Sequence, residues 1–174
     1  MPENNPVQIL FDEHEIIGKV ENSIHSIKQH WETNEESYEN KVNQLLIFLK
    51  EYSDKFHHHK EEEVLFVALK NNPDFLLDDI ISELEEHHEM FRENVREIQE
   101  FMNEKDWVKV QKILEKYVND LLDHIAVEND ELFSIAESLF SEDELEKMYF
   151  LFEDIDRELG KERKQELEAS LNLI

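Results

Sequence analysis

Cysteine is absent from the chain, which excludes disulfide scaffolds, thiol nucleophiles, Cys-ligated zinc and cysteine-bound iron–sulfur clusters together. Any metal must therefore be held by His and carboxylate. Glycine and proline are scarce, 2 and 3 in 174 residues, too few for the many chain reversals of a sheet protein of this length. Basic residues are few as well: 18 Lys+Arg face 44 Asp+Glu, a net charge of −26 that repels phosphate backbones and anionic lipid. Neither nucleic acid nor membrane is expected as a partner. The longest apolar run, residues 64–69, has six residues, so no segment is expected to span a bilayer. With no Lys or Arg before Lys19 and no apolar stretch of signal-peptide length at the start, the expectation is a soluble cytoplasmic protein.

What is present is a helical pattern: 40% of residues are hydrophobic, 11 of them Phe, and they recur at three- and four-residue steps. Leu10, Ile17, Val20, Ile24, Ile27 and Trp31 predict one amphipathic helix over 9–31. Thr33 and Glu36 have capping-box spacing and predict the start of a second helix, which carries Val42, Leu45, Leu49, Phe56, Val64 and Ala68. Asn72 as N-cap and Pro73 at the first helical position predict a third, with Leu84, Phe91, Val95 and Ile98. After a break near 103–106 the fourth carries Trp107, Val110, Leu114, Leu121, Ile125, Leu132 and Ile135. The expected fold class is all-α, an up-down-up-down four-helix bundle. A fifth helix follows from the Ser141–Glu144 capping box, carries Leu145, Met148, Leu151 and Phe152, ends at Gly160 and caps the bundle. One domain is expected over 1–160, with 161–174 as a frayed helix or partner-dependent tail.

Polar residues on the apolar stripes carry the functional signal, because a buried charge or imidazole is costly unless paired or bound to metal. His14 lies between Leu10 and Ile17. His57 and Glu61 precede Val64 and Ala68 by seven residues, while His124 is three after Leu121 and Glu128 is seven after Leu121 and seven before Ile135. The second and fourth helices thus share one pattern, H-x-x-x-E-x-x-x-L-F, at His57–Phe66 and His124–Phe133. An imidazole and a carboxylate one turn apart can reach one metal centre, and a carboxylate can bridge two. Counted from Asn72, His57 lies 15 residues before the turn and His88 lies 16 after it, so antiparallel helices put them at one height. The same count brings in His14 and His124 and leaves His25 and His30 far from that level. His59, Glu62 and Glu63 are expected to face solvent, and Phe66 and Phe133 to wall the pocket.

The segments DEH at 12–14, HHHKEEEVLF at 57–66, EEHHEMFR at 85–92 and HIAVENDELF at 124–133 resemble the hemerythrin family, or HHE cation-binding domain, over about residues 10–140. The resemblance implies a bundle around two non-haem Fe ions with carboxylate and oxo or hydroxo bridges. Its candidate metal residues are His14, His57, Glu61, His88, His124 and Glu128, with both Glu as bridges. Oxygen carriers of the family have two His four residues apart on the third helix, whereas Leu84 and Arg92 flank His88 here. His87, on the edge of the same stripe, can replace or join His88, and His58 is a further candidate because iron-sensing relatives use the residue after the second-helix His. The segment His57–Phe66 also resembles the repair-of-iron-centres proteins, whose cysteine-bearing N-terminal region is missing. A ferritin-like site needs Glu-x-x-His on two helices; Glu85 and His88 fit, but Leu121 stands where the second Glu belongs. Six convergent N/O residues also exceed the needs of tetrahedral zinc.

The resemblance implies binding of O2 or a related ligand, NO, for sensing or for iron and oxygen handling, with a possible protein partner reached through the fifth helix and tail. Two alternatives stand beside it: a diiron redox enzyme reducing peroxide or NO, and a protein that stores or donates iron for the repair of iron centres.

Overall fold

The computed structural model describes residues 5–174; the first four residues of the expected 1–160 domain lie outside that range. Helix α1 (Pro6–Ile17) begins three residues before the sequence pattern suggests, because the Asn5 side chain accepts a hydrogen bond from the Val7 amide and Pro6 occupies the first turn. The expected single helix over 9–31 is interrupted: α1 gives way at Gly18 to α2 (Val20–Ser26), and a 3₁₀ turn (His30–Glu32) follows after Gln29 at φ 64°. The apolar stripe nevertheless continues across the break, with Ile17, Val20, Ile24 and Ile27 all buried.

Helix α3 (Glu35–Phe48) is capped by Asn34, which accepts from the Ser37 amide at 2.9 Å, so the expected Thr33–Glu36 capping box does not form. The helix runs on through π-type turns at Leu49–His58 and Glu61–Leu65 into α4 (Phe66–Lys70). Asn72 and Pro73 do not start the third helix either. Asn72 closes a turn by accepting from the Asp74 amide, and α5 (Asp78–Asn103) begins after it. Its partner α6 (Trp107–Val127), capped by Asp106, continues through a π-type turn at Glu128–Leu132 into α7 (Phe133–Leu139). The four arms α1–α2, α3–α4, α5 and α6–α7 form the bundle, and no strand occurs among the described residues.

Helix α8 (Glu142–Leu159) starts at the expected capping box, where Glu144 accepts from the Ser141 amide at 2.8 Å. It packs beside α1 and the π-type turns of the second arm, burying Leu145, Met148 and Phe152, while Leu151 of its expected stripe is half-exposed. Gly160, at φ 87°, permits the turn into α9 (Lys161–Ser170). In place of a frayed or partner-dependent tail, α9 lies against α3 and α8 and buries Leu167, with Leu171 beyond it.

The apolar interior forms two clusters. One contains Ile17, Phe56, Phe91 and Leu121, and the other Leu10, Val64, Leu84 and Leu132. In every bundle arm the residues between these pairs are the polar ones: His14, His57 with Glu61, His88, and His124 with Glu128. A buried polar layer therefore crosses the bundle between two hydrophobic halves.

Candidate metal centre

All six residues expected at the centre are buried, and so is His58. Two groups of potential ligand atoms form, each lying within 4.8 Å of one another: His58, Glu61, His88 and His124, and His14, His57, Glu61 and Glu128. Glu61 belongs to both. Its Oε1 faces His57 Nε2 at 3.3 Å and His14 Nε2 at 3.8 Å, while its Oε2 faces His88 Nε2 at 3.6 Å. Glu128, a member of the second group only, meets imidazoles of both through one oxygen: Oε2 lies 3.2 Å from His124 Nε2 and 3.3 Å from His14 Nε2, while Oε1 lies 3.9 Å from His88 Nε2. His88 Nε2 and His124 Nε2 lie 3.1 Å apart, within hydrogen-bonding distance.

The π-type turns explain how consecutive residues share this layer. In an α-helix neighbouring side chains diverge by about 100°. Hydrogen bonding from i to i+5 packs more residues into each turn and narrows that angle, so His57 and His58 both turn inward. His58 is the fifth imidazole in the layer, and its ring lies over His88 at 3.8 Å between centroids. His87 is half-buried on the margin, 3.4 Å from His124 Nδ1, and joins neither group. His25 and His30 are exposed, away from the layer.

Outer partners fix the rings. The Nδ1 atoms of His14, His57 and His88 pair with Asn129 at 2.8 Å, Glu13 at 3.0 Å and Glu62 at 2.7 Å. In the neutral rings of His14 and His88 the oxygen acceptor holds the proton on Nδ1 and leaves the Nε2 lone pair aimed inward, the arrangement a metal-bound imidazole requires. Glu62 is thus a partner of His88 and not the solvent-facing residue that the sequence suggests. Glu13 and Lys60 were not anticipated at all: Lys60 Nζ is buried at 2.5 Å from both Glu13 and Asp156, over the Phe56 ring at 3.7 Å. Phe133 stacks on His14 at 5.3 Å and Phe66 on His88 at 5.9 Å, walling the layer as expected.

The electrostatics without a cation are strained. Burial, reinforced by neighbouring imidazoles, holds His88 and His124 well below their ordinary range and His14 at about 4, so all three imidazoles are neutral at neutral pH. Burial and the adjacent Glu61 charge push Glu128 well up. For His57, burial is outweighed by Glu61 and Glu13, which raise it to about 9. Both oxygens of Glu61 and Glu128, and Nε2 of His14 and His57, are buried with no hydrogen-bond partner. Each such atom costs about 1–3 kcal/mol if left unpaired. Cations placed between them would satisfy all six atoms, so the donor set fits a metal centre of nitrogen and carboxylate ligands.

The family model described as Hemerythrin HHE cation binding domain matches residues 5–136. No curated protein matches the chain. The matched span reaches from the cap of α1 into α7 and contains every residue of the buried polar layer.

Proposed function

Since the chain belongs to the hemerythrin HHE cation-binding domain family, we propose that the layer holds two iron ions, with Glu61 and Glu128 shared between them and His14, His57, His58, His88 and His124 as nitrogen donors. The observation that carries this reading is the set of four buried carboxylate oxygens of Glu61 and Glu128, none with a hydrogen-bond partner and each facing an imidazole Nε2 at 3.2–3.9 Å. Seven convergent N/O donors exceed one tetrahedral zinc.

The function that fits is reversible binding of a diatomic ligand, O2 or NO, for sensing or for iron and oxygen handling in the cytoplasm. When bound, iron held by these residues would supply redox chemistry and affinity for such a ligand. The protein's own contribution is threefold. Glu13, Glu62 and Asn129 orient imidazoles, Phe66, Phe91 and Phe133 keep bulk water out, and the shared carboxylates hold negative charge where the cations sit. Sensing is favoured over bulk transport by the ion-pair chain from His57 through Glu13 and Lys60 to Asp156 on α8, with Lys164 of α9 joining Glu13 at 3.3 Å. This chain gives α8 and α9 a route by which ligation reaches a protein partner.

The test is the visible spectrum of iron-loaded, reduced protein exposed to air and then to NO. Bands that appear with each gas and disappear when it is removed are expected. Irreversible oxidation, with iron passing to a mild chelator, would overturn ligand binding in favour of iron donation.

A further inference from the structure

In a chain with only four arginines, two of them, Arg92 and Arg96, stand with Lys50 and Lys55 around one cavity of about 280 Å³. Its floor is apolar, made of Leu49, Phe91 and Val95, all buried. At its inner end are His58, 2% exposed, and Tyr117, 1% exposed, whose hydroxyl makes no hydrogen bond among the described residues. The cavity therefore runs from exposed cations at the mouth to the outer face of the imidazole that stacks on His88. Elsewhere the surface carries a large excess of negative charge, so this concentration of cations beside an apolar trough sets the mouth apart.

The cations are not equivalent. Arg92 is fully engaged, donating to Asp54 at 2.7 Å, Glu89 at 2.7 Å and Glu62 at 2.8 Å. It is a fixed part of the wall and, through Glu62, of the support beneath His88. Lys50 donates to Gln99. Lys55 and Arg96 are exposed and form no ion pair among the described residues, so they remain available to a ligand.

We propose that this cavity binds a small amphipathic carboxylate, its head group on Arg96 and Lys55 and its apolar tail along Leu49, Val95 and Phe91 toward His58. An arginine fork and a carboxylate match in planar, two-point geometry. Apolar area removed from water supplies the remaining affinity, and a trough with a few polar groups at one end is the usual form of a small-molecule site. A carboxylate is preferred to a phosphate because the trough behind the cations is apolar, and a dianion would face Asp54 at the cavity wall. The cavity is formed by protein groups alone, so the proposal does not depend on which metal the neighbouring layer takes.

The test uses metal-free and iron-loaded protein side by side, titrated with hexanoate, hexylamine and hexanol and followed by NMR shifts of Phe91, Val95 and Tyr117. Hexanoate is expected to shift these three residues in both forms, with hexylamine at least tenfold weaker. The variant Lys55→Glu/Arg96→Glu, at two exposed positions that leave the core untouched, is expected to weaken hexanoate at least tenfold while leaving hexanol within about twofold. Equal binding of hexanoate by the variant, equal binding of the amine, or shifts that map to another face would overturn the proposal.

Discussion

Glu13 is the residue on which the outer support of the centre turns. It is 2% exposed, accepts from His57 Nδ1 and pairs with Lys60. Burial alone would raise its carboxyl, but His57 and Lys60 hold it down at about 2. Glu13→Gln keeps the shape and removes the charge that keeps a proton on His57 Nδ1. Iron affinity in a chelator competition is expected to fall about 10- to 100-fold, the usual cost of losing an outer carboxylate. Lys60→Met leaves Glu13 with less compensation and is expected to cost about 3–5 kcal/mol in urea unfolding, part of which the double variant with Glu13→Gln recovers. An unchanged midpoint for Lys60→Met would show that the buried pair carries no net weight. Both residues were within reach of the sequence pattern. Glu13 is three after Leu10 and four before Ile17, and Lys60 is four after Phe56 and four before Val64, so each sits on an apolar stripe as surely as His14 does. Attention to imidazoles, and to acids one turn after them, passed over them. Glu62 gave no such signal, since it reaches His88 from a neighbouring arm and only the packing of that pair of helices reveals it.

At the scale of the elements, helical stripes, the second capping box, the break at 103–106 and the stop at Gly160 were legible, whereas the starts of the second and third helices were not. The Thr33 and Pro73 signals both lost to neighbouring Asn residues whose short side chains close the turn first. The π-type turns at Leu49–His58 and Glu61–Leu65 had one visible trace: the three consecutive histidines, of which a regular helix would turn at most one directly inward. They matter because they put His57 and His58 into one layer. The weak stripe of α9 concealed its docking, which rests on Leu167 and on Arg163, bidentate to Glu51 at 2.8 and 2.9 Å. Leu167→Ala is expected to cost about 2–4 kcal/mol, read as faster amide exchange in α9. The Arg163 hydrogen bonds hold the Glu51 carboxyl below its ordinary range. A carboxyl depressed on folding contributes stability above its unfolded pKa and loses it as pH falls through the folded value. The docking of α9 should therefore loosen on acidification, and Arg163→Met should abolish that part of the pH dependence. Exchange in α9 that stays the same from neutral to acidic pH in both proteins would contradict the role given to this pair.

For the whole molecule, the polar layer divides the hydrophobic interior in two, and the six unpartnered atoms of His14, His57, Glu61 and Glu128 together weigh as much as the net stability of a typical domain, about 5–15 kcal/mol. Metal loading is therefore expected to raise the melting temperature by roughly 10 °C or more, since about 1 kcal/mol corresponds to 2–4 °C at this size, and chelation should reverse the gain. The division itself was legible, because each arm places its polar residues between apolar ones at one height. The sharing of Glu61 by both groups came from the family resemblance and not from spacing, which fixes a face and a level but not which oxygen meets which imidazole. The most direct measurement is an anaerobic titration of metal-free protein with ferrous iron, counting bound metal per chain in the natural sequence and in Glu61→Ala. Saturation at about two irons per chain, with the variant losing at least one, is the predicted result. Saturation at a single metal, or selection of one zinc in place of iron, would contradict the two-iron centre.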